Sequence, residues 1–382
     1  MKKNILIIAL SLVLVCVNTA CQTSNEPEYV THSTTEASTE MTINVEPTTI
    51  KEDDNFIYTA KEIVEKMGMG WNLGNTLDAC DYSGSKEIDE TAFGNPVTTK
   101  AMIDMVKEEG FQSVRIPVSY YNHMDEDGNI DEEWLNRVKE VVDYVVEDDM
   151  YCIINVHHDT GNDGWLTADA SSYEQNSTRF KAMWKQIAEY FADYDEKLLF
   201  EGYNEILNSE KKWSWAGEES YNTANSLNQD FVDTVRSTGG NNAKRYLIVN
   251  TYAASAEEEV MNNFVMPTDV EDNRLIVEVH TYVPFDKIPQ TFDMINERFC
   301  ENDIPVVVGE TACGKDKSIE ERTEYAKLLN VKSKEYKIAI FWWDDGNYSD
   351  NSSSAEDVCN YALLNRVLMQ WAYPDIAQAF TN

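Results

Sequence analysis

Eight short, almost wholly apolar runs recur between residues 70 and 342, and helix-like segments separate them. They are Gly70–Leu73, Ser113–Ile116, Tyr151–Val156, Lys197–Glu201, Tyr246–Asn250, Leu275–His280, Pro305–Val308 and Ile338–Trp342. Runs this short with little polar alternation are expected of parallel strands whose outer face is covered by helices. The intervening segments carry apolar stripes at helical spacing: Met102, Met105 and Val106, then Trp134, Leu135, Val138, Val141 and Val142, then Phe180, Trp184, Ile187 and Phe191. Tyr325, Leu328 and Leu329 form a later one. Such Met and aromatic stripes read as core rather than as ligand boxes. Strand and helix alternating eight times predicts a single (β/α)8 barrel. The stretch from Ala253 to Asn273 fits least well, because it shows no clean helix.

The chain has 382 residues, and its N-terminus does not belong to that pattern. Lys2 and Lys3 precede an apolar stretch, Ile5 to Val17, that is too short to span a bilayer comfortably. Thr19 and Ala20 then lead to Cys21. This order is similar to a bacterial lipoprotein signal, which implies lipidation at Cys21, although Asn18 stands where such signals usually carry Leu. Ordinary cleavage near Ala20 is the alternative. Residues 21–54 are rich in Thr, Ser, Glu and Pro with almost no large apolar side chain. They cannot bury enough surface to offset ordering entropy, so a disordered tether is expected. The division is therefore a signal at 1–20, a tether at 21–54 and one barrel domain at 55–382.

The formal net charge of −37 argues against nucleic acid or an anionic membrane surface as a partner, leaving membrane contact only to an N-terminal lipid. It suits an exported protein acting on a neutral ligand, and a monomer is expected. Nine Trp and twenty Tyr exceed the needs of a core, and sugar faces stack well on aromatic rings. Seven cysteines are present, at 16, 21, 80, 152, 300, 313 and 359, without a C-x-x-C pair or a His/Cys cluster. A zinc site is not expected, and neither a metal nor a cofactor is called for.

In a barrel of this type, functional side chains gather just beyond the strands. Asn72 and Asn75 lie at the first strand end, Arg115 on the second strand, and His157-His158-Asp159 after the third. Asn204-Glu205 follow the fourth, His280 and Tyr282 the sixth, Glu310 the seventh and Trp342-Trp343 the eighth. Three of only five histidines sit at these ends. The runs Leu198–Glu205 and Pro305–Glu310 each read as a strand delivering a glutamate to its C-terminal end. Two carboxyl groups facing one another are what cleavage of a glycosidic bond requires. Adjacent residues on a strand point oppositely, so only one of Trp342 and Trp343 can face the cleft. His157 and His158 suggest a metal only weakly, since neighbouring strand residues diverge and no third ligand motif appears.

Seven segments together resemble glycoside hydrolase family 5, and within it the bacterial endo-β-1,4-glucanase branch. They are Gly70–Asn75, Val114–Pro117, Ile154–His158, Asn204-Glu205, His280–Tyr282, Gly309-Glu310 and Phe341–Asp344, in the family's order between about residues 60 and 378. The resemblance implies a retaining double displacement on a β-glucan, with Glu310 as nucleophile and Glu205 as general acid/base. Arg115 and Tyr282 would stabilise ionised Glu310, while Glu205, lacking such a cation in its motif, would hold the proton. Asn204 would bind the sugar 2-hydroxyl, and His157 and His280 would hold hydroxyls and the carboxylate network. Trp343 would supply the stacking platform, leaving Trp342 to packing. His158 and Asn72 join the supporting set.

The chain departs from the family at Phe93, where Trp is more usual, at Asp345, where Asn is commoner, and at Thr311-Ala312 after the nucleophile. None of these removes a catalytic group, but they leave the preferred glucan open. Xyloglucan remains an alternative substrate. A catalytically silent glycan-binding lipoprotein is a rival from another class, although both glutamates and Arg115 are in place.

Overall fold

The computed structural model describes residues 55–83, 88–125, 127–346 and 360–382. Cys21, the signal and the tether fall outside these residues, as do Cys16 and Cys359. Helix α1 (Ala60–Met67) leads into β1 (Met69–Leu73), followed by α2 (Lys100–Glu108), β2 (Ser113–Ile116), α3 (Glu132–Glu147) and β3 (Tyr151–Asn155). Next come α4 (Tyr173–Tyr190), β4 (Leu198–Glu201), α5 (Glu218–Ser237), β5 (Leu247–Ser255), α6 (Glu258–Asn263) and β6 (Leu275–His280). The barrel finishes with α7 (Ile288–Arg298), β7 (Val306–Thr311), α8 (Ile319–Tyr336) and β8 (Ala339–Asp344). A short hairpin, β9 (Leu364–Asn365) and β10 (Gln370–Trp371), precedes the last helix, α9 (Pro374–Thr381).

All eight predicted strands form, and they close in chain order with β8 parallel to β1. Three run longer than their apolar cores suggest. β5 continues to Ser255, β7 to Thr311 and β8 to Asp344. Pairing there depends on backbone groups, which apolar patterning does not report. The weak stretch after Ala253 resolves into the end of β5 and the six-residue α6, short because its sequence offers little apolar face.

Side chains alternate along each strand, and the barrel sorts them accordingly. The outward set includes Trp71, Val114, Cys152, Ile154, Phe200, Val249, Val277, Val308 and Trp342, which pack with the helices in one large core. The inward set at the lower end is Ile153, Leu199, Ile248, Ile276, Val307, Ala339 and Phe341. Two residues further along, the same inward face reads Asn155, Glu201, Asn250, Glu278, Gly309 and Trp343. The lower interior is thus apolar and the upper interior is polar.

Helix α1 closes the apolar end. Thr59 and Glu62 form a reciprocal cap at its start, satisfying backbone donors that would otherwise be orphaned. Its buried face, Ala60, Ile63, Val64 and Met67, packs onto the lower interior residues. The Ala60 amide also donates to the Asn273 carbonyl at 2.8 Å, tying the plug to the loop before β6. Ile63→Ala should therefore cost about 2–5 kcal/mol through transfer and cavity terms. Thermal melting checks it, and an unchanged Tm would mean that α1 does not close the barrel.

Candidate active site

Arg115 organises the upper interior. It is fully buried on β2, so its charge requires partners in the same low-dielectric space. Nε and Nη2 donate to the two oxygens of Glu201 at 2.6 and 2.8 Å, a bidentate pair that suits the planar guanidinium. Nη2 also donates to Asn204 Oδ1 at 2.8 Å, and Nη1 to Asn72 Oδ1 at 3.1 Å and Glu310 Oε1 at 2.9 Å. Asn72 passes the restraint on by donating to the carbonyl of Gly309, immediately before Glu310.

The carboxylate that the β4 apolar run delivers is Glu201, not Glu205. The strand ends at Glu201, and Glu205 lies four residues further on, in the loop. Glu201 was legible in principle, because a carboxylate inside an apolar run must be buried against a cation. Asn155 Nδ2 satisfies it further, donating to Oε1 at 2.9 Å.

Glu205 and Glu310 come together across His280. The imidazole Nδ1 lies 2.8 Å from Glu205 Oε1 and 3.7 Å from Glu310 Oε2. One oxygen of each carboxyl lies within 4.8 Å of the other. Tyr282 donates its hydroxyl to Glu310 Oε2 at 2.9 Å. Two irregularities aim the strand that carries Glu310: the register shifts between β6 and β7 beside His280, and between β7 and β8 before Thr311.

The charges of these groups follow from their contacts. Burial pushes the Glu310 carboxyl up, but His280 and Arg115, with hydrogen bonds from Tyr282 and Arg115, hold it below the ordinary value. Burial opposes the charge on His280, yet Glu310, Glu205 and Glu278 together raise it to about 10. Burial and the adjacent Glu310 raise Tyr282 well above the ordinary tyrosine value, so it remains a donor. This corrects the expectation that Glu205 has no cation beside it. His280 lies in contact with it, brought from β6, where the motif around Glu205 gives no sign of it.

His157 is set by the residue two positions earlier. Asn155 Oδ1 accepts from the Val118 amide at 3.1 Å and its Nδ2 donates to Glu201, which fixes the orientation of the amide. Nδ2 therefore also faces His157 Nδ1, 3.2 Å away, and the imidazole must accept there and carry its proton on Nε2. Burial holds His157 neutral, well below the ordinary histidine value. Trp343 lies parallel to it, with centroids 5.7 Å apart and planes within 5°. Gly74 permits this, since a Cβ there would meet the Trp343 ring at 2.8 Å.

The expectation that the two histidines diverge and lack a third partner is also corrected. Their rings meet edge to face at 4.6 Å, and Asp78 Oδ2 lies 3.5 Å from His158 Nε2. The donor chemistry nevertheless suits hydrogen bonding rather than a cation. His157 accepts through one nitrogen and is protonated on the other, leaving no lone pair to ligate. In the second cluster both nitrogens of His280 face carboxylates.

These residues open onto a cavity of about 600 Å³ lined by His157, His158, Asn204, Glu205, Tyr282, Glu310 and Trp343, with Tyr82, Trp213 and Tyr361 at its sides. Trp342 is buried on the outer face instead, donating to the Tyr361 carbonyl. Asn72 lies beneath the floor, occupied by Arg115 and Gly309, and so supports the site without lining it. Of the loop tryptophans, Trp213 lines the cavity, Trp165 is held under Arg179 and donates to Asp159, and Trp215 is exposed. Phe93 sets its ring edge against His158, and Asp345 accepts from the amides of Tyr361 and Ala362.

Comparison with known proteins adds three findings. A sequence model described as cellulase (glycosyl hydrolase family 5) matches residues 78–349. The chain is 39% identical over 343 residues to the cellulase/esterase CelE of Acetivibrio thermocellus, and 37% identical over 347 residues to Endoglucanase A of Clostridium longisporum. These alignments cover 84% of this chain but only 40% and 65% of those proteins. Among solved structures, it is similar to a broad-specificity endoglucanase from Ruminococcus champanellensis with bound cellotriose, with a TM-score of 0.80 and 39% identity, covering 85% of this chain and 99% of that one.

Removing the donor to Glu310 without disturbing its volume gives a signed prediction. Glu310 is held low partly by Tyr282, so Tyr282→Phe should raise it. The acidic limb of any rate that needs ionised Glu310 should then move to higher pH. A pH–rate profile checks this, and an unmoved acidic limb would contradict it.

Proposed function

We propose that the chain, which belongs to glycosyl hydrolase family 5, is a retaining endo-β-1,4-glucanase acting on cellulose-type or mixed-linkage β-glucan. The observation that carries the mechanism is the approach of the Glu205 and Glu310 carboxyls to within 4.8 Å. Retaining enzymes hold their carboxyl groups about 5–5.5 Å apart, while inverting ones need about 6.5–9.5 Å to admit water.

In the first step the Glu310 carboxylate attacks the anomeric carbon, and the bond to the leaving oxygen breaks as Glu205 supplies its proton. The product is a glycosyl ester on Glu310. Arg115 and Tyr282 support this role by keeping Glu310 ionised beforehand. In the second step Glu205 takes a proton from water, the oxygen attacks the same carbon, and the ester breaks to restore Glu310. Two inversions leave the configuration unchanged.

The surrounding groups support substrate positioning. Arg115 engages Asn204 Oδ1, which turns the Asn204 amide N–H toward the cavity as a donor for the 2-hydroxyl. His157, protonated on Nε2, offers a second donor, and Trp343 a face for sugar stacking. A strongly acidic chain also suits a neutral polymer better than a polyanion. A mutant of the glycoside hydrolase family 5 enzyme from Prevotella bryantii, 37% identical, in complex with a xyloglucan tetradecasaccharide favours xyloglucan as the second substrate to test. Simple glycan capture is disfavoured, because a binding protein has no use for a nucleophile held ionised beside a second carboxyl group.

The same reading takes residues 1–20 as an export signal and 21–54 as a tether, with lipid on Cys21 anchoring the enzyme at the cell surface. Mass spectrometry of the mature N-terminus should find a diacylglycerol-modified Cys21; an unmodified start after Ala20 would replace anchoring with secretion. For the reaction, Glu310→Ala should abolish hydrolysis of carboxymethyl-cellulose and barley glucan while glucan binding persists. Glu205→Ala should spare only activated aryl glycosides, which need no proton on the leaving group. Full polymer hydrolysis by either variant, or an inverted anomer seen by proton NMR in the wild type, would defeat the proposal.

A further inference from the structure

Glu278 is a buried carboxyl group that the double displacement does not use. It lies on the inward face of β6, fully buried, in register with Asn250 on β5 and Val307 on β7. Its Oε1 lies 2.9 Å from His280 Nε2 and 3.5 Å from Arg115 Nη2. Its Oε2 has no hydrogen-bond partner. The neighbouring strand makes room for it: a Cβ at Gly309 would lie 1.8 Å from Glu278 Oε1. The glycine beside Glu310 is therefore what admits a second buried carboxyl group, besides Glu201, behind the reacting pair.

A buried carboxylate needs a counter-charge, and Arg115, hydrogen-bonded to Glu201 and Glu310, reaches Glu278 only at 3.5 Å. His280 is the nearer cation, at 2.9 Å. It bridges Glu278 through Nε2 and Glu205 through Nδ1, so the three side chains form one line from the barrel interior to the cleft. We propose that Glu278 is a positioning residue: it keeps His280 protonated on both nitrogens, so that Nδ1–H donates to Glu205 Oε1 and leaves the other Glu205 oxygen to carry the proton toward the substrate. If His280 lost its charge and kept its remaining proton on Nε2, donating to Glu278, Nδ1 would become a bare acceptor. It would then draw the Glu205 proton inward, away from the leaving group.

The charged and titratable neighbours of this line are consistent with it. Arg115 from β2 and Glu201 from β4 face Glu278; Glu205 and Glu310, from β4's loop and β7, face His280. Tyr282 stays a protonated donor to Glu310, and His157 stays neutral. Burial and Glu201 push Glu278 itself up to about 7, against the pull of Arg115 and His280, so the line works only while its two members share their proton in favour of His280. This inference rests on Glu205 being the acid/base.

Glu278→Gln is the test, since the amide oxygen takes the place of Oε1 beside the Arg115 guanidinium and the shape is kept. Side-chain ¹⁵N NMR of the full chain should show His280 protonated on both nitrogens at pH 7 in the wild type. In the variant His280 should titrate at least about one pH unit lower. The alkaline limb of kcat/KM on a soluble β-glucan should fall with it, while kcat/KM on 2,4-dinitrophenyl cellobioside, whose leaving group needs no proton, should fall far less. Gly309→Ala, which displaces Glu278 without changing its chemistry, should move the same limb in the same direction. A neutral His280 in the wild type, or a variant with a lowered Tm but unmoved His280 titration and alkaline limb, would overturn the proposal. The NMR readout needs no turnover. Loss of polymer hydrolysis in Glu205→Ala with an unmoved limb in Glu278→Gln sinks only the role of Glu278, whereas full hydrolysis by Glu205→Ala sinks the reading of the site.

Discussion

A single guanidinium sets the terms for the upper half of this barrel. Arg115 cannot be buried without carboxylates, and the carboxylates around it cannot be buried without Arg115. Removing water from this space strengthens each of these attractions and raises the cost of leaving any of the groups unpaired. Glu201 saturates one edge of the guanidinium, Asn204 extends it to the loop after β4 and Asn72 to β1, and Glu310 completes it. Glu310 is therefore not a strand-end side chain that happens to face a cleft. It is one member of a charge cluster whose other members fix its position and its ionisation.

The division of the barrel interior into an apolar lower part and a polar upper part has a simple origin. Inward positions fall on every second residue, and the same strands that carry Ile153, Leu199, Ile248, Ile276 and Val307 low in the barrel carry Asn155, Glu201, Asn250, Glu278 and Gly309 above them. Helix α1 seals the apolar part, and the polar part forms the floor of the cleft. Strands at this level hold Arg115, His280 and Glu310 more tightly than loops could, and Glu205, in the loop after β4, is tied to them through His280. Small residues contribute by absence: Gly74 lets Trp343 lie flat, and Gly309 lets Glu278 reach His280.

Much of the site was legible as a set of residue types at strand ends. His157, His158, Asn204, Glu205, Tyr282, Glu310 and Trp343 do line one cavity, and His280 touches it through Glu205. Less legible were the groups beneath it. Glu278 sits in an apolar run and looks like an interruption of a strand, because its partner His280 is two residues away and its other partner, Arg115, is on a different strand. Asn72 at a strand end could equally have met a sugar or tied the structure together, and its side chain turns to Arg115. Asp78 gave no signal at all, since it reaches His158 only through the path of the loop after β1.

The sequence by itself determined the eight strands, the order in which they close and the residues offered at one end of the barrel, because apolar patterning and strand alternation are local properties of the chain. Only the tertiary structure decided which carboxylate pairs with Arg115, that His280 lies between Glu205 and Glu310, and which nitrogen of His157 carries its proton. Those outcomes depend on distances of about 3 Å between residues tens to hundreds of positions apart, and on desolvation that acts only once the barrel has closed around them.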